Sequence, residues 1–413
     1  MSRPSGRAAD AIVRWATIGR PHPPLPAAFS RTTHPRPRIT EASLPPPMRL
    51  STFCAPALLL CAACSSGGTG GPDTGNGPPV CATTFLNPIA EGADPWVVRH
   101  EGTYYAVESR SGGIYVYETD TLTKLKKNPV RVWTPPSTGW NTSDIWAPEL
   151  HFIDGKWYIY YAAGQPGPSG PDAAFTDQRA GVLESVGSDP QGGYVDKGMI
   201  YTGDDVASGT NPVWAIDMTV RRINGALYAV WSGWLENAAT HRTPQHLYIA
   251  RMSNPWTIET NRVKISSPEE SWEQGTELDL QEGPEFLVNG THTFIVYSTR
   301  ESFLPDYRLG LLRLAAPDAD PLNPASWVKT GPVFTGAPAL GVYGVGHASF
   351  TTSPDGSENW IVYHAKTVNG PGWDDRVIRM QKFTWNADGT PNFGTPVASG
   401  VPVLVPSGQC AEP

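Results

Sequence analysis

The chain has 413 residues, 17% of them charged, with 42 Gly, 42 Pro, 15 Trp and 15 Tyr and a formal net charge of −8. So few charges among so many turn formers exclude a coiled coil, a long helical bundle and a charged disordered chain. The acidic balance argues against nucleic acid or an anionic surface as the main partner. Aromatics on a chain punctuated by Gly and Pro point instead to many short strands joined by turns.

Residues 1–47 hold ten Pro and seven Arg against two acids, Asp10 and Glu41, and show no apolar period. This stretch reads as disordered, or as an extension upstream of a true start at Met48. From Met48 a short secretory signal follows, with Arg49 as its basic region and an apolar run from Phe53 to Ala63. The run is shorter than the roughly 20 residues that a spanning helix needs. It ends Leu60-Cys61-Ala62-Ala63-Cys64 and resembles a bacterial lipoprotein cleavage site, although Cys61 stands where such sites usually carry Leu. On that reading Cys64 is lipidated and the only membrane contact is the lipid; an ordinary cleaved signal is the alternative. Residues 65–80 form a Gly/Ser/Pro tether.

Residues 81–413 form the exported domain, and residues 65–413 together carry 23 Lys+Arg against 37 Asp+Glu. Its two cysteines, Cys81 and Cys410, stand at its ends. In an oxidising compartment they are expected to pair, closing a loop of about 330 residues and stabilising the fold through the unfolded state. Two free thiols are the alternative.

One unit recurs five times: a polar residue, a few apolar residues, a Gly turn and an aromatic-rich strand. The turn glycines are Gly102, Gly155, Gly225, Gly290 and Gly356, spaced 53, 70, 65 and 66 residues apart. Each copy reads as a hairpin. A unit of this length leaves room for about four strands, so five units predict an all-β, five-bladed propeller. A β-sandwich would not explain the repeat. Ring closure brings Cys81 and Cys410 together.

Counting back eight residues from the turn glycines gives Asp94, Ala147, Asp217 and Glu282 in the first four copies, and His347 lies nine back in the fifth. Equivalent positions of innermost strands surround the axis, so three carboxylates should share one axial pocket. Their proximity would separate their pKa values. Glycoside hydrolysis needs one ionised and one protonated carboxyl. Caps or ligands of a structural cation are the plainer roles for such acids.

Asp94-Pro-Trp-Val-Val, the segment Trp146-Ala-Pro-Glu149-Leu-His-Phe-Ile-Asp-Gly-Lys-Trp, the strand at Ile216-Asp217, Gln281-Glu-Gly-Pro-Glu-Phe286 and Gly344-Val-Gly-His-Ala-Ser-Phe350 resemble glycoside hydrolase family 43. So does Gln381-Lys-Phe-Thr-Trp-Asn-Ala-Asp-Gly389, and the likeness runs from about residue 85 to 405. Its C-terminal part and Ile159-Tyr-Tyr-Ala-Ala-Gly-Gln-Pro-Gly resemble the α-L-arabinofuranosidase branch more than the β-xylosidases.

The resemblance implies an inverting mechanism. Asp94 would be the general base, Glu282 the general acid, and Asp217 the residue that raises the acid's pKa and orients it. Glu285 is the rival acid, and Glu149 reads as structural. His347 would sit near the axis on a calcium ion or a water, or be a satisfied core histidine. Trp96, Trp146 and Trp214 are candidates for stacking on sugar, with blade packing as the alternative. Arg379 is a candidate for reaching a sugar hydroxyl or a catalytic carboxylate, or a surface arginine. The implied partner is an arabinose-containing oligo- or polysaccharide. No cofactor is required beyond the possible structural calcium, and a monomer is expected. Endo-arabinanase, β-xylosidase and a non-catalytic carbohydrate-binding propeller are the rival functions.

Overall fold

A computed structural model describes residues 83–110, 112–166 and 175–410. The expected N-terminal extension, signal, Cys64 lipid site, tether and Cys81 lie outside the described residues. Cys410 is disulfide-bonded.

The described residues form an all-β, five-bladed propeller. Blade I runs Trp96–His100, Thr103–Arg110, Gly113–Thr119 and Val130–Trp133, each strand antiparallel to the next. Blade II runs Ser143–Ile153, Lys156–Gly164, Arg179–Ser185 and Tyr194–Met199. Blade III begins with Ala215–Ile223, Ala226–Gly233 and His246–Asn254. Blade IV runs Gln281–Asn289, His292–Thr299, Arg308–Leu314 and Trp327–Phe334. Blade V holds Tyr343–Thr352, Asn359–Lys366 and Arg376–Trp385. No helix among the described residues is long and apolar enough to cross a membrane.

The five turn glycines all have positive φ, between 57° and 89°. A residue with Cβ pays for that conformation, which is why glycine marks the hairpins.

A blade is apolar on both faces, and each face is covered by a neighbour. One seam joins Trp96 and Val107 of blade I to Leu150 and Trp157 of blade II. The next three join Tyr160 to Trp231, Ile249 to Ile295, and Phe294 to Ile361. The last joins Tyr104 of blade I to Trp360 and Met380 of blade V. The fifth seam closes the ring, so no blade face is left to water. A segment ahead of blade I completes blade V: Ala90–Glu91 pairs with Ile378 and Val377. Just before it, Asn87 donates to the Met380 carbonyl (2.8 Å) and accepts from its N–H (3.0 Å), replacing a strand's two backbone bonds.

Candidate active site

The innermost strands of blades II to V are each interrupted by a two-residue break in pairing. The breaks fall at Ala147-Pro148, Asp217-Met218, Gly283-Pro284 and His347-Ala348. In blade I, Asp94-Pro95 stands just before the strand at the same place. The first residue of each pair is left-handed: Asp94 φ 50°, Ala147 φ 40°, Asp217 φ 53°, Gly283 φ 51° and His347 φ 44°. Backbone strain of this kind costs roughly 1–3 kcal/mol per residue and collects at functional sites. The break turns that residue toward the axis and restarts the ladder beyond it.

The eight-residue count thus finds the breaks in blades I to III. In blade IV it falls on Glu282, one residue ahead of the break at Gly283. A Cβ on Gly283 would lie 3.1 Å from His347 Nδ1, so close approach as well as φ requires glycine here.

Asp94, Asp217, Glu282 and His347 line one axial cavity of about 300 Å³, together with Trp146, Trp214, Phe303, Trp373 and Arg376. Asp217 Oδ2 accepts the Gly283 N–H at 2.9 Å, so the blade III acid holds the backbone that carries Glu282. The Asp94 N–H donates to His364 Nδ1 at 3.2 Å. Asp94 Oδ1 lies 3.3 Å from Arg376 Nη1 and 3.4 Å from His347 Nδ1. Tyr307 O–H donates to Glu282 Oε1 at 2.9 Å.

These surroundings separate the three acids. Burial works to raise the Asp94 pKa, but the Arg376 guanidinium and the His347 and His364 imidazoles outweigh it and hold the carboxyl well below the usual range. Burial first, then the Asp217 and Asp94 charges, push Glu282 well above it. Asp217 is also raised by burial, against the opposing pull of His347 and the Gly283 N–H. Burial lowers His364 to about 4, leaving a neutral ring. One cavity therefore holds a carboxyl pushed toward its ionised form beside one pushed toward its protonated form, the arrangement that general base and general acid chemistry needs.

The family model for glycosyl hydrolases family 43 matches residues 85–391. The chain belongs to this family. It is 40% identical over 344 residues to the extracellular exo-α-(1→5)-L-arabinofuranosidase of Streptomyces avermitilis, covering 80% of this chain and 68% of that one. It is 36% identical over 365 residues to α-L-arabinofuranosidase 43 of Humicola insolens, covering 86% and 70%. The crystal structure of an α-L-arabinofuranosidase from Lactobacillus brevis superposes with a TM-score of 0.68 at 33% identity, over 77% of this chain and 98% of that one. The protein is a family-43 glycosidase.

Within this glycosidase two expected positions need correction. Arg379 does not reach the cavity. It is 1% exposed, and it donates to Ser399 Oγ at 3.1 Å and to the Val397 carbonyl. Arg376, three residues earlier at the start of the same strand, lines the cavity instead. Trp96 lies behind the cavity, donating to the Leu150 carbonyl at 2.8 Å and packing on His151 with ring centres 4.5 Å apart. Trp146 and Trp214 do line the cavity. Trp214 is stacked on Trp234 at 4.5 Å and 5° and is 3% exposed, so it forms a wall more than an open platform.

His347 contributes one imidazole, and among the described residues no group of three or more His, Cys, Asp or Glu side chains is arranged to hold a metal ion. Arg376, Tyr307, His364, Phe303 and Trp373 were missed by the sequence reading. Arg376 carries the one signal, standing three residues before Arg379 in the sequence.

Glu149 and Glu285 directly follow their two-residue breaks and line a small cavity behind the acids, not the axial one. Glu149 Oε2 lies 2.9 Å from His151 Nε2, whereas Glu285 Oε2 has no hydrogen-bond partner. Burial pushes Glu285 well above its ordinary value of 4.5, with Arg221 opposing. The folded state therefore holds a proton that the unfolded chain releases above 4.5, and stability falls as pH rises through that window. Glu285→Gln is predicted to raise the melting temperature at neutral pH, with the gain disappearing below pH 4.5. Thermal melts of both proteins across this range check it; an unchanged difference at all pH values would contradict it.

Proposed function

We propose that this enzyme is an inverting exo-α-L-arabinofuranosidase that removes terminal α-L-arabinofuranose from arabinan or arabino-oligosaccharides. The observation that carries the reading is one cavity in which Asp94 lies against Arg376 and His347 while Glu282 is buried beside Asp217. Asp94 takes a proton from water as the water oxygen bonds to the anomeric carbon. Glu282 gives its proton to the glycosidic oxygen as the bond from that oxygen to the anomeric carbon breaks. Asp94 then loses its proton to solvent and Glu282 regains one. Asp217 keeps the acid protonated by its charge and in place through the Gly283 N–H. The reaction needs only water and two carboxyls, and no cofactor enters it.

The printed names of the relatives support arabinofuranose as the sugar. Exo action is supported by a cavity of about 300 Å³, at the small end for ligand sites and closer to one sugar than to a chain. Trp373, 47% exposed at the mouth and edge-packed on Phe303 at 5.2 Å, offers a face to the leaving group.

On aryl α-L-arabinofuranoside and linear arabinan the enzyme should release arabinose alone, first as the inverted anomer by proton NMR. Asp94→Asn should lower kcat/KM by roughly 10²–10⁴-fold while arabinose still binds. Oligosaccharides from arabinan, xylose from aryl β-xyloside, or an active Asp94→Asn would each contradict the reading.

The extracellular name of the Streptomyces avermitilis relative supports export. We propose that Cys64 is the lipid anchor and that the enzyme acts as a monomer at the cell envelope. In the native host, Cys64→Ala should move activity from the membrane fraction to the medium; unchanged partition would contradict the anchor.

A further inference from the structure

Tyr307 sits at the end of the loop before the third strand of blade IV and is 0% exposed. Its ring is gripped on two sides. One face stacks on His364, with centres 5.4 Å apart and planes 6° from parallel. Against its edge lies Gly346, where a Cβ would fall 2.1 Å from Tyr307 Cε1. A glycine at this point of blade V is thus the slot into which the phenol fits. The hydroxyl ends 2.9 Å from Glu282 Oε1. His364 in turn accepts the Asp94 N–H at 3.2 Å. The ring that fixes the backbone at Asp94 therefore also seats the phenol that touches Glu282.

We propose that Tyr307 is a positioning residue for the general acid: by donating to Oε1 it makes Oε2 the proton-bearing oxygen and aims that proton at the glycosidic oxygen. This deepens the reading of Glu282 as the acid and rests on it. A carboxylic acid accepts best on its carbonyl oxygen and donates from the other. A donor fixed on Oε1 thus leaves one orientation of the O–H. Tyr307 is a dependable donor, since burial and the Glu282 charge push its own pKa far up. Its hydrogen bond also favours ionised Glu282 and so limits how far that pKa rises.

The test is Tyr307→Phe in the full enzyme, with a melt to confirm folding. Leaving groups of high pKa need the proton, whereas strongly activated aryl leaving groups do not. For arabino-oligosaccharides kcat should fall roughly 10–100-fold, a share of the 10²–10⁴ that general acid catalysis contributes. For the most activated aryl arabinofuranoside it should stay within about twofold, the step needing no acid. The basic limb of the pH profile should move up, because a donor to the carboxylate has been removed. Fluorotyrosine at position 307, a stronger donor of nearly the same size, should move that limb down. This second replacement keeps the test open if Phe does not fold. Equal losses on every leaving group with an unmoved basic limb would overturn the proposal. Glu282→Gln is the control for the reading beneath it: it too should spare activated leaving groups. If Glu282→Gln loses all substrates equally, the acid assignment fails, and not Tyr307 alone.

Discussion

The innermost strands of blades II to V stop pairing for two residues as they pass the axis, and that of blade I begins just beyond the same point. Five strands that ran through without a break would turn alternate side chains inward all along their length and fill the centre as an ordinary core. The left-handed break interrupts that alternation at one level and presents Asp94, Ala147, Asp217 and His347 there, with Glu282 beside Gly283. Proline follows three of the five, at Pro95, Pro148 and Pro284. It has no N–H to leave unpaired where the ladder is interrupted.

Such a centre is expensive. It holds strained backbone and several carboxyls away from water, each costly unless partnered. The five apolar seams between blades offset this cost, and they do so from a distance. Each seam buries aromatic and aliphatic side chains of two adjacent blades, away from the acids at the axis. The acids are then free to be tuned by neighbours. Arg376 and two imidazoles surround Asp94; another carboxylate stands next to Glu282. The two acids differ because different partners surround them, Arg376, His347 and His364 of blade V at Asp94 and Asp217 of blade III at Glu282.

That division also explains what the sequence could reveal. The hairpin repeat is local, since the turn glycines and alternating aromatics fall within a few residues of each other. It therefore gave the number of blades and placed Asp94 and Asp217 at equivalent points. Glu282 was reached by the same count only because the break in blade IV comes one residue late. Glu285 is the true counterpart of Glu149, both directly following a break, and both lie behind the acids. The partners that tune the site come from elsewhere. Tyr307, His364 and Arg376 lie on or beside second and third strands, and Phe303 and Trp373 lie in loops, with no shared spacing. Arg376 and Arg379 stand three residues apart in one strand, and choosing between them needs to know which end of that strand reaches the axis. Trp96, only two residues beyond Asp94, falls behind the cavity because the break reverses direction between them.

The central claim is that two carboxyls in one cavity hold opposite protonation states. Infrared difference spectroscopy of the protonated-carboxyl band at neutral pH tests it most directly. Relative to wild type, Glu282→Gln should lose a protonated-carboxyl signal, and Asp94→Asn should lose none. A protonated band that survives Glu282→Gln unchanged, or one that disappears with Asp94→Asn, would contradict the account.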